Sequence, residues 1–132
     1  MVLLDSSAWI EVLTDGPDAE QFQQAANQHP DVVVPTIVLY EVARWTMARY
    51  SRSRVAEICL LLSRGRVEPL TPSLSMEAAS VGLSMKLPMA DSIIMATAQA
   101  TGAEIWTQDA DFKGLPNVRY IPRRLRPPEV HE

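Results

Sequence analysis

The sequence predicts an α/β fold, a three-layer α/β/α sandwich around a mainly parallel sheet of four or five strands. Short apolar runs recur along the chain, and prolines or polar capping residues end them, which is typical of buried strands. Stretches with helical patterning separate these runs, and strands that alternate with helices form parallel sheets. Because the chain has 132 residues, 47% of them apolar, we expect a single domain over 1–132, with a Pro/Arg-rich tail over about 122–132.

The first third of the chain contains two predicted strands and two predicted helices. The apolar run at residues 2–4 forms the first strand and leads into a helix over 8–13. A polar helix follows over 18–28. Residues 32–34 are all valine, a β-branched residue, so they form the second strand, and Pro35 stops it.

The middle of the chain is mainly helical in this prediction. Thr36 caps a helix that runs to about residue 50, and another helix covers residues 53–64. Residues 67–70 form a short strand, which we expect at a sheet edge because proline limits it. A helix then extends from Pro72 through about residue 83.

The stretch from Pro88 to Gly102 predicts a buried helix. Pro88 argues against a helix that enters from upstream, Asp91 and Ser92 supply N-cap chemistry, and Gly102 is a C-terminal stop. The residues between are almost all apolar, which leaves no polar face. Asp91 is therefore a carboxylate at the entrance of a buried helix, where it either caps the helix or binds a metal.

Two more strands complete the prediction, at residues 102–107 and 118–121. Asp109 follows the first of them, as Asp5 follows the strand at residues 2–4. The carboxyl ends of parallel strands meet at one edge of a sheet, where ligands bind. We place the first turns of the helices that carry Glu41 and Asp91 at the same edge.

Four carboxylates that converge repel one another unless protons or a cation neutralise them. Hard oxygen ligands of this kind select Mg²⁺ or Mn²⁺, and such an ion can activate water and stabilise an in-line attack on phosphorus. The alternative is a set of unrelated helix caps and ion pairs, for example between Glu41 and Arg44 at spacing i,i+3. The residues by themselves leave both interpretations open.

Cysteine and histidine usage narrows the class of protein. Cys59 is the single cysteine and lies in an apolar run, so it is expected to be an inert core thiol, and an intrachain disulfide is excluded. His29 and His131 are the only histidines, which argues against a zinc site. No apolar run approaches 18 residues and no signal peptide is evident, so we expect a soluble cytoplasmic protein without a membrane partner.

The net charge of −4 conceals a strong asymmetry. Residues 1–41 contain seven acidic residues and no lysine or arginine, whereas residues 42–66 contain six arginines against Glu57 alone. Arginine favours bidentate contact with phosphate. These arginines are interpreted either as a rim that holds a nucleic-acid backbone beside the acidic site or as a solvated helix face.

Four segments of the chain resemble the acidic motifs of PIN-domain nucleases. They are Asp5-Ser6-Ser7 after an apolar strand and the stretches at residues 35–42, 90–98 and 107–112. Their order and the chain length are similar to those of VapC-type toxins of bacterial toxin–antitoxin modules. The resemblance covers residue 2 to about residue 121. A PIN-like fold is therefore expected.

The resemblance implies a Mg²⁺-dependent endoribonuclease, with Mn²⁺ as a possible substitute, that acts on RNA as the toxin of a toxin–antitoxin system. Its partners would be a cognate antitoxin and a second copy of the chain, in a homodimer and in a toxin–antitoxin hetero-oligomer. The implied catalytic residues are Asp5, Glu41, Asp91 and Asp109, with Asp5, Asp91 and Asp109 on the metal and Ser7, Thr107 and Asp111 in support. Gln108 departs slightly from the pattern, where a basic or apolar residue is expected.

Other protein classes remain as alternatives. A Mg²⁺-dependent phosphatase of the haloacid dehalogenase type would also place an Asp after its first strand, but it would need a second Asp where this chain has Ser7. A receiver domain would need paired acids there and a late lysine. A catalytically silent PIN-like interaction module is the third alternative, since a fold does not guarantee activity.

Several large apolar side chains on the early helices are candidates for a partner surface. A chain of this size can hardly cover all of them, and uncovered apolar patches mark partner surfaces. Core packing is the alternative for each of them. The candidates are Trp9, Val12, Leu13, Tyr40, Trp45 and Met47.

Overall fold

The computed structural model describes residues 1–124, in which five strands form one parallel sheet. The strand order is β3-β2-β1-β4-β5, and all four neighbouring pairs are parallel. The strands are β1 (Val2–Leu4), β2 (Val32–Pro35), β3 (Arg66–Glu68), β4 (Glu104–Thr107) and β5 (Val118–Tyr120). This sheet confirms the predicted α/β fold class.

Strand β1 lies at the centre of the sheet. Val2 pairs with Val32 of β2 on one side and with Glu104 of β4 on the other. Val2, Leu3 and Leu4 are all 0% exposed. Because successive side chains of a strand point to opposite faces, both faces of the sheet are covered, as a three-layer arrangement requires.

Six α-helices and one short 3₁₀ helix connect the strands within residues 1–124. The α-helices are α1 (Ser6–Leu13), α2 (Ala19–Gln28), α3 (Thr36–Met47), α4 (Arg52–Ser63), α5 (Pro72–Met85) and α6 (Met89–Thr101). The 3₁₀ helix at Ala110–Phe112 follows β4 directly. Helices and strands thus alternate as predicted, and boundaries differ by a few residues.

Two predicted N-caps are wrong. Helix α6 begins at Met89 with Pro88 as its N-cap, so Asp91 lies inside the first turn. The hydroxyl of Ser92 donates back to the carbonyl of Pro88 at 2.8 Å and does not accept from the helix. Helix α3 likewise begins at Thr36 itself. In both helices, proline already provides the extended backbone that an N-cap residue needs.

The prediction that α6 is buried is confirmed, since every residue from Asp91 to Ala98 is buried. Ile94 packs in the main core together with Phe22, Leu62 and Phe112, whereas Ile93 joins a small cluster under α5. Cys59 was predicted to lie in the core, but its side chain is only partly buried. Helix α6 therefore presents Asp91 from a rigid, enclosed element.

Both short strands β3 and β5 form the edges of the sheet, which confirms the edge position predicted for the third strand. The part of the predicted tail from residue 125 onward lies outside the described residues. Among residues 1–124, no helix has the length and apolar character needed to cross a membrane.

Candidate acidic active site

The carboxyl ends of β1 and β4 bring Asp5 and Asp109 to one edge of the sheet. Leu4 pairs with Trp106 in the parallel ladder, and the amide of Asp5 donates to the carbonyl of Trp106 at 3.3 Å. Each strand ends one or two residues before its aspartate. The adjacency of β1 and β4 in the sheet therefore positions these two acids.

Asp5 is held by three hydrogen bonds and is 2% exposed. Its Oδ1 accepts from the Ala8 amide at 3.0 Å and from the Ser7 hydroxyl at 2.6 Å, and its Oδ2 accepts from the Thr107 hydroxyl at 2.5 Å. Asp5 is thus the N-cap of α1 and a member of the acidic site at once. One orientation of the carboxylate satisfies both roles.

The hydroxyls of Ser7 and Thr107 connect the two strand ends. Besides donating to Asp5, the Ser7 oxygen accepts from the backbone N–H of Gln108 at 3.0 Å, and the Thr107 oxygen accepts from the backbone N–H of Asp109 at 2.9 Å. Each hydroxyl therefore donates its proton to Asp5 and accepts a hydrogen bond from a backbone N–H of the loop after β4. This network fixes Asp109 relative to Asp5.

Asp91, Asp109 and Asp111 form a cluster of possible metal ligands. Each offers one carboxylate oxygen, and these oxygens all lie within 4.8 Å of one another. Asp109 also accepts from the Asp111 amide at 2.9 Å and thereby caps the 3₁₀ helix. This cluster contains Asp111, which the sequence placed in a supporting role, whereas Asp5 of the predicted metal set is outside it.

Glu41 approaches the site from α3 and is partly buried. Its Oε1 accepts from the Ser6 hydroxyl at 3.2 Å. The alternative ion pair with Arg44 does not form in the part of the chain that the structure describes; Arg44 instead donates to the Tyr40 hydroxyl at 3.5 Å. Glu41 therefore has no basic neutralising partner there.

Burial and mutual repulsion disfavour the charged forms of three acids. Burial raises the pKa of Asp5 from 3.8 to about 6, opposed by its hydrogen bonds and aided weakly by the charge of Asp109. Burial, followed by the neighbouring Asp109, raises the pKa of Asp91 from 3.8 to about 8. The pKa of Glu41 is also raised, first by burial. The negative charge of Asp109 contributes to the raised pKa of all three acids.

This arrangement fits a divalent cation. The donors are carboxylate oxygens, the ligands that Mg²⁺ and Mn²⁺ prefer, and no histidine or cysteine lies among them. Acids that resist ionisation because of burial and repulsion gain most from a cation that supplies the missing positive charge. Asp91, Asp109 and Asp111 could hold the ion, and Thr107 links Asp5 to Asp109 by hydrogen bonds.

The structure adds a supporting residue that sequence reasoning missed, Asp18. It is 1% exposed, and its carboxylate accepts from Nε2 of the Gln108 side chain at 3.1 Å and from the Arg124 guanidinium at 2.9 Å. Gln108, which departed from the expected motif, therefore anchors the loop before Asp109. An Asp at the first residue of a predicted helix suggests only a cap, so no local signal could have shown this contact.

The family model of the PIN domain matches residues 2–118, and this chain belongs to the PIN domain family. The resemblance noted from the four acidic motifs is thereby confirmed. A comparison with curated proteins found no match.

Solved structures with this fold include toxins and toxin–antitoxin complexes. A toxin–antitoxin complex from Klebsiella pneumoniae contains a chain with 25% identity and a TM-score of 0.75, and the match covers 90% of this chain and 96% of that chain. Mycobacterium tuberculosis VapC20, described as a Sarcin-Ricin loop cleaving toxin, has 18% identity and a TM-score of 0.70, with 88% and 95% covered. VapBC2 from Rickettsia felis, bound to a promoter DNA fragment, has 15% identity and a TM-score of 0.70, with 92% and 98% covered.

Proposed function

We propose that this protein is a metal-dependent endoribonuclease that acts as the toxin of a toxin–antitoxin system. The observation that carries the proposal is the acidic cluster of Asp91, Asp109 and Asp111, joined through Asp109 to Asp5 and Glu41. Asp5 and Asp91 are buried, and none of these acids forms an ion pair among the described residues, so bringing the carboxylates together costs free energy through burial and repulsion. Binding a cation for catalysis explains why they are there.

The family and the similar structures support the same proposal. PIN domains are generally nucleases, and the 25% identical neighbour comes from a toxin–antitoxin complex. VapC20 is named as a toxin that cleaves the Sarcin-Ricin loop, which is RNA. For this chain we therefore propose RNA as the substrate and the cytoplasm as the place of action.

The residues are proposed to divide the work as follows. Mg²⁺ or Mn²⁺, held by Asp91, Asp109 and Asp111, would neutralise charge on the phosphate and make water a better nucleophile. Asp5, fixed by Ser7 and Thr107, would orient this ligand set from behind. Glu41 is partly buried and its pKa is raised, so it is suited to move a proton.

The predicted protein partners are proposed to use two different apolar surfaces. Trp9 is 9% exposed and belongs to the core, so it is removed from the candidates, whereas Tyr40 at 56% and Met47 at 65% remain open to an antitoxin. A second surface was not predicted: a groove of about 580 Å³ between α5 and α6, flanked by Leu83 at 85% and Met89 at 77% exposed. We propose that a second copy of the chain covers this groove.

Cleavage of RNA by the isolated chain tests the proposal. Purified protein, free of any partner, is incubated with total RNA in Mg²⁺ or in EDTA, and the cleaved ends are mapped. Wild type should cleave only with the cation, and Asp91→Asn and Asp109→Asn should each lose at least about a hundredfold in rate, as removal of a charge-stabilising group does. Asp31→Asn, which changes an exposed aspartate elsewhere, is the matched control and should keep full activity.

Three outcomes would contradict the proposal. Cleavage in EDTA would show that the reaction needs no divalent cation. Full activity of Asp91→Asn would show that the acidic cluster is not the active site. Hydrolysis of a phosphomonoester without RNA cleavage would favour the phosphatase alternative.

A further inference from the structure

Gln108 joins the end of β4 to the proposed metal ligand Asp109, and it is held at two points. Its backbone N–H donates to the Ser7 hydroxyl at 3.0 Å, and Nε2 of its side chain donates to Asp18 at 3.1 Å. Gln108 is only 6% exposed. Because Gln108 and Asp109 share a planar peptide bond, fixing the former restricts the directions in which the latter can point.

Asp18 can hold Gln108 because other groups fix its own carboxylate. Its Oδ2 accepts from Gln108, whereas its Oδ1 accepts from Nε2 of Gln21 at 3.2 Å and from Nε of Arg124 at 2.9 Å. The Arg124 guanidinium also donates to the carbonyl of Pro17. The arginine therefore both neutralises the buried carboxylate and sets its orientation.

The strap, which consists of residues 121–124, closes these contacts into a ring. The backbone N–H of Ile121 donates to the carbonyl of Thr107 at 2.9 Å, so the strap leaves the sheet beside the end of β4. At its other end Arg124 reaches Asp18, which lies between α1 and α2. Both ends of the strap are therefore anchored, and the contacts run from β4 through the loop between α1 and α2 and along the strap back to β4.

Repulsion within the acidic cluster gives this ring a role beyond stability. Carboxylate oxygens of Asp91, Asp109 and Asp111 lie within 4.8 Å of one another, so these groups repel when they are ionised. Asp91 belongs to a buried α-helix, whereas Asp109 and Asp111 lie at a 3₁₀ helix of three residues, which offers little resistance by itself. Without a restraint, the loop after β4 is the part that would move and open the ligand set.

We infer that Gln108 is a positioning residue for the proposed cation, and that Asp18 and the strap hold it in position. The ring fixes Asp109 against the repulsion of its neighbours, so the ligand set is formed before the cation arrives. Removal of groups that orient metal ligands from behind typically weakens metal binding by about ten- to a hundredfold. This inference rests on the proposed function and adds that Arg124, which is not among the ligands, helps to set the affinity for the cation.

Mn²⁺ binding to the full chain without RNA provides the test. Protein is freed of metal with EDTA, dialysed and titrated with Mn²⁺, and electron paramagnetic resonance measures the free ion. Gln108→Leu keeps the net charge but cannot donate to Asp18, so its dissociation constant should rise at least about tenfold. Gln23→Leu makes the same change at an exposed position of α2 and should bind Mn²⁺ as wild type does.

The sign of the effect of Arg124→Ala separates the ring from simple electrostatics. Loss of a positive charge by itself favours the binding of a cation. The ring predicts the opposite, weaker Mn²⁺ binding, because Asp18 loses the group that orients it. Arg123→Ala removes the same charge from the neighbouring exposed residue and should not weaken binding. Adding Arg124→Ala to Gln108→Leu should weaken binding no further, since both changes act through one contact.

Urea unfolding of the same proteins without a cation separates positioning from stability. A purely structural role would lower the free energy of unfolding and leave the dissociation constant of the folded protein for Mn²⁺ unchanged. That result for both Gln108→Leu and Arg124→Ala would overturn the inference while the nuclease stands. Arg124→Ala decides the question if Gln108→Leu does not fold, because the Arg124 side chain is 60% exposed.

The controls distinguish this inference from the proposed function. If Gln23→Leu or Arg123→Ala weakens Mn²⁺ binding as much as the changes within the ring, the effect is not specific to the ring and the inference fails. If wild type binds no Mn²⁺, or if Asp109→Asn binds it equally well, the acidic cluster is not a cation site and the proposed function itself is contradicted.

Discussion

Replacement of Asp5 by Asn should stabilise the metal-free protein more at neutral and alkaline pH than at acidic pH. The quantity compared is the free energy of unfolding of the variant minus that of wild type. Burial raises the pKa of Asp5 from 3.8 to about 6, so the folded protein holds this proton more tightly than the unfolded chain does. Stability of wild type therefore falls as the pH rises from about 3.8 through about 6 and levels off above that. Asn carries no such proton, so the variant lacks this fall.

The magnitude follows from the two pKa values. Their difference, at about 1.36 kcal/mol per pKa unit, gives about 3 kcal/mol of stability that wild type loses across this range and the variant keeps. Asn can still accept from Ser7 and Ala8, while its amide would face the Thr107 oxygen, which must then reverse its hydrogen bond. That rearrangement costs the same at every pH, so it shifts the baseline and does not alter the slope.

Urea unfolding in EDTA at a series of pH values measures this effect. The free energy of unfolding of Asp5→Asn minus that of wild type should grow by about 3 kcal/mol between about pH 4 and pH 8. Asp31→Asn, at an exposed position, should show a difference that hardly changes with pH. A difference for Asp5→Asn that stays constant, or shrinks as the pH rises, would refute the reasoning that burial of this carboxylate opposes its charge.

Two further predictions concern contacts outside the acidic cluster. Asp18→Ala should lower the free energy of unfolding by about 2–4 kcal/mol, because it leaves the buried side-chain amide of Gln108 without an acceptor. Arg124→Ala, at the exposed end of the same network, should lower it by about 1 kcal/mol or less. Urea unfolding measures both, and equal losses would contradict this reasoning. Leu83→Glu should convert a dimer to a monomer in sedimentation equilibrium. The stability of the monomer should be nearly unchanged, because Leu83 is 85% exposed. An unaltered dimer would exclude the groove between α5 and α6 as the interface.

The order of elements could be predicted from the sequence largely because the central strands β1 and β2 are short apolar runs with a clear stop. Val32–Pro35 is an example: three β-branched residues fill the strand, and a proline closes it. The first residue of a helix was harder to predict, as Asp91 shows. Asp is a favoured N-cap, yet the extended backbone of Pro88 already begins the helix, so the aspartate is free to face the acidic cluster.

The hydrogen-bond network of the site could not be predicted, because it joins residues about a hundred positions apart. Contacts such as Thr107 to Asp5 and Gln108 to Asp18 depend on which strands are neighbours and on side-chain orientation. Sequence spacing reveals neither of these. The same limit explains Trp9, whose size suggested a partner surface although the fold places it in the core.

The acidic site links the stability of the fold to the cation it is proposed to bind. Asp5 and Asp91 resist ionisation mainly because they are buried, so the protein without a cation either keeps protons there or is destabilised. A cation that binds only the folded state stabilises it, by about 2.7 kcal/mol at a concentration a hundred times its dissociation constant. Protons and the cation therefore compete for the same carboxylates. Addition of Mg²⁺ should stabilise wild type more at about pH 8 than at about pH 5, because the carboxylates give up their protons more readily at the higher pH.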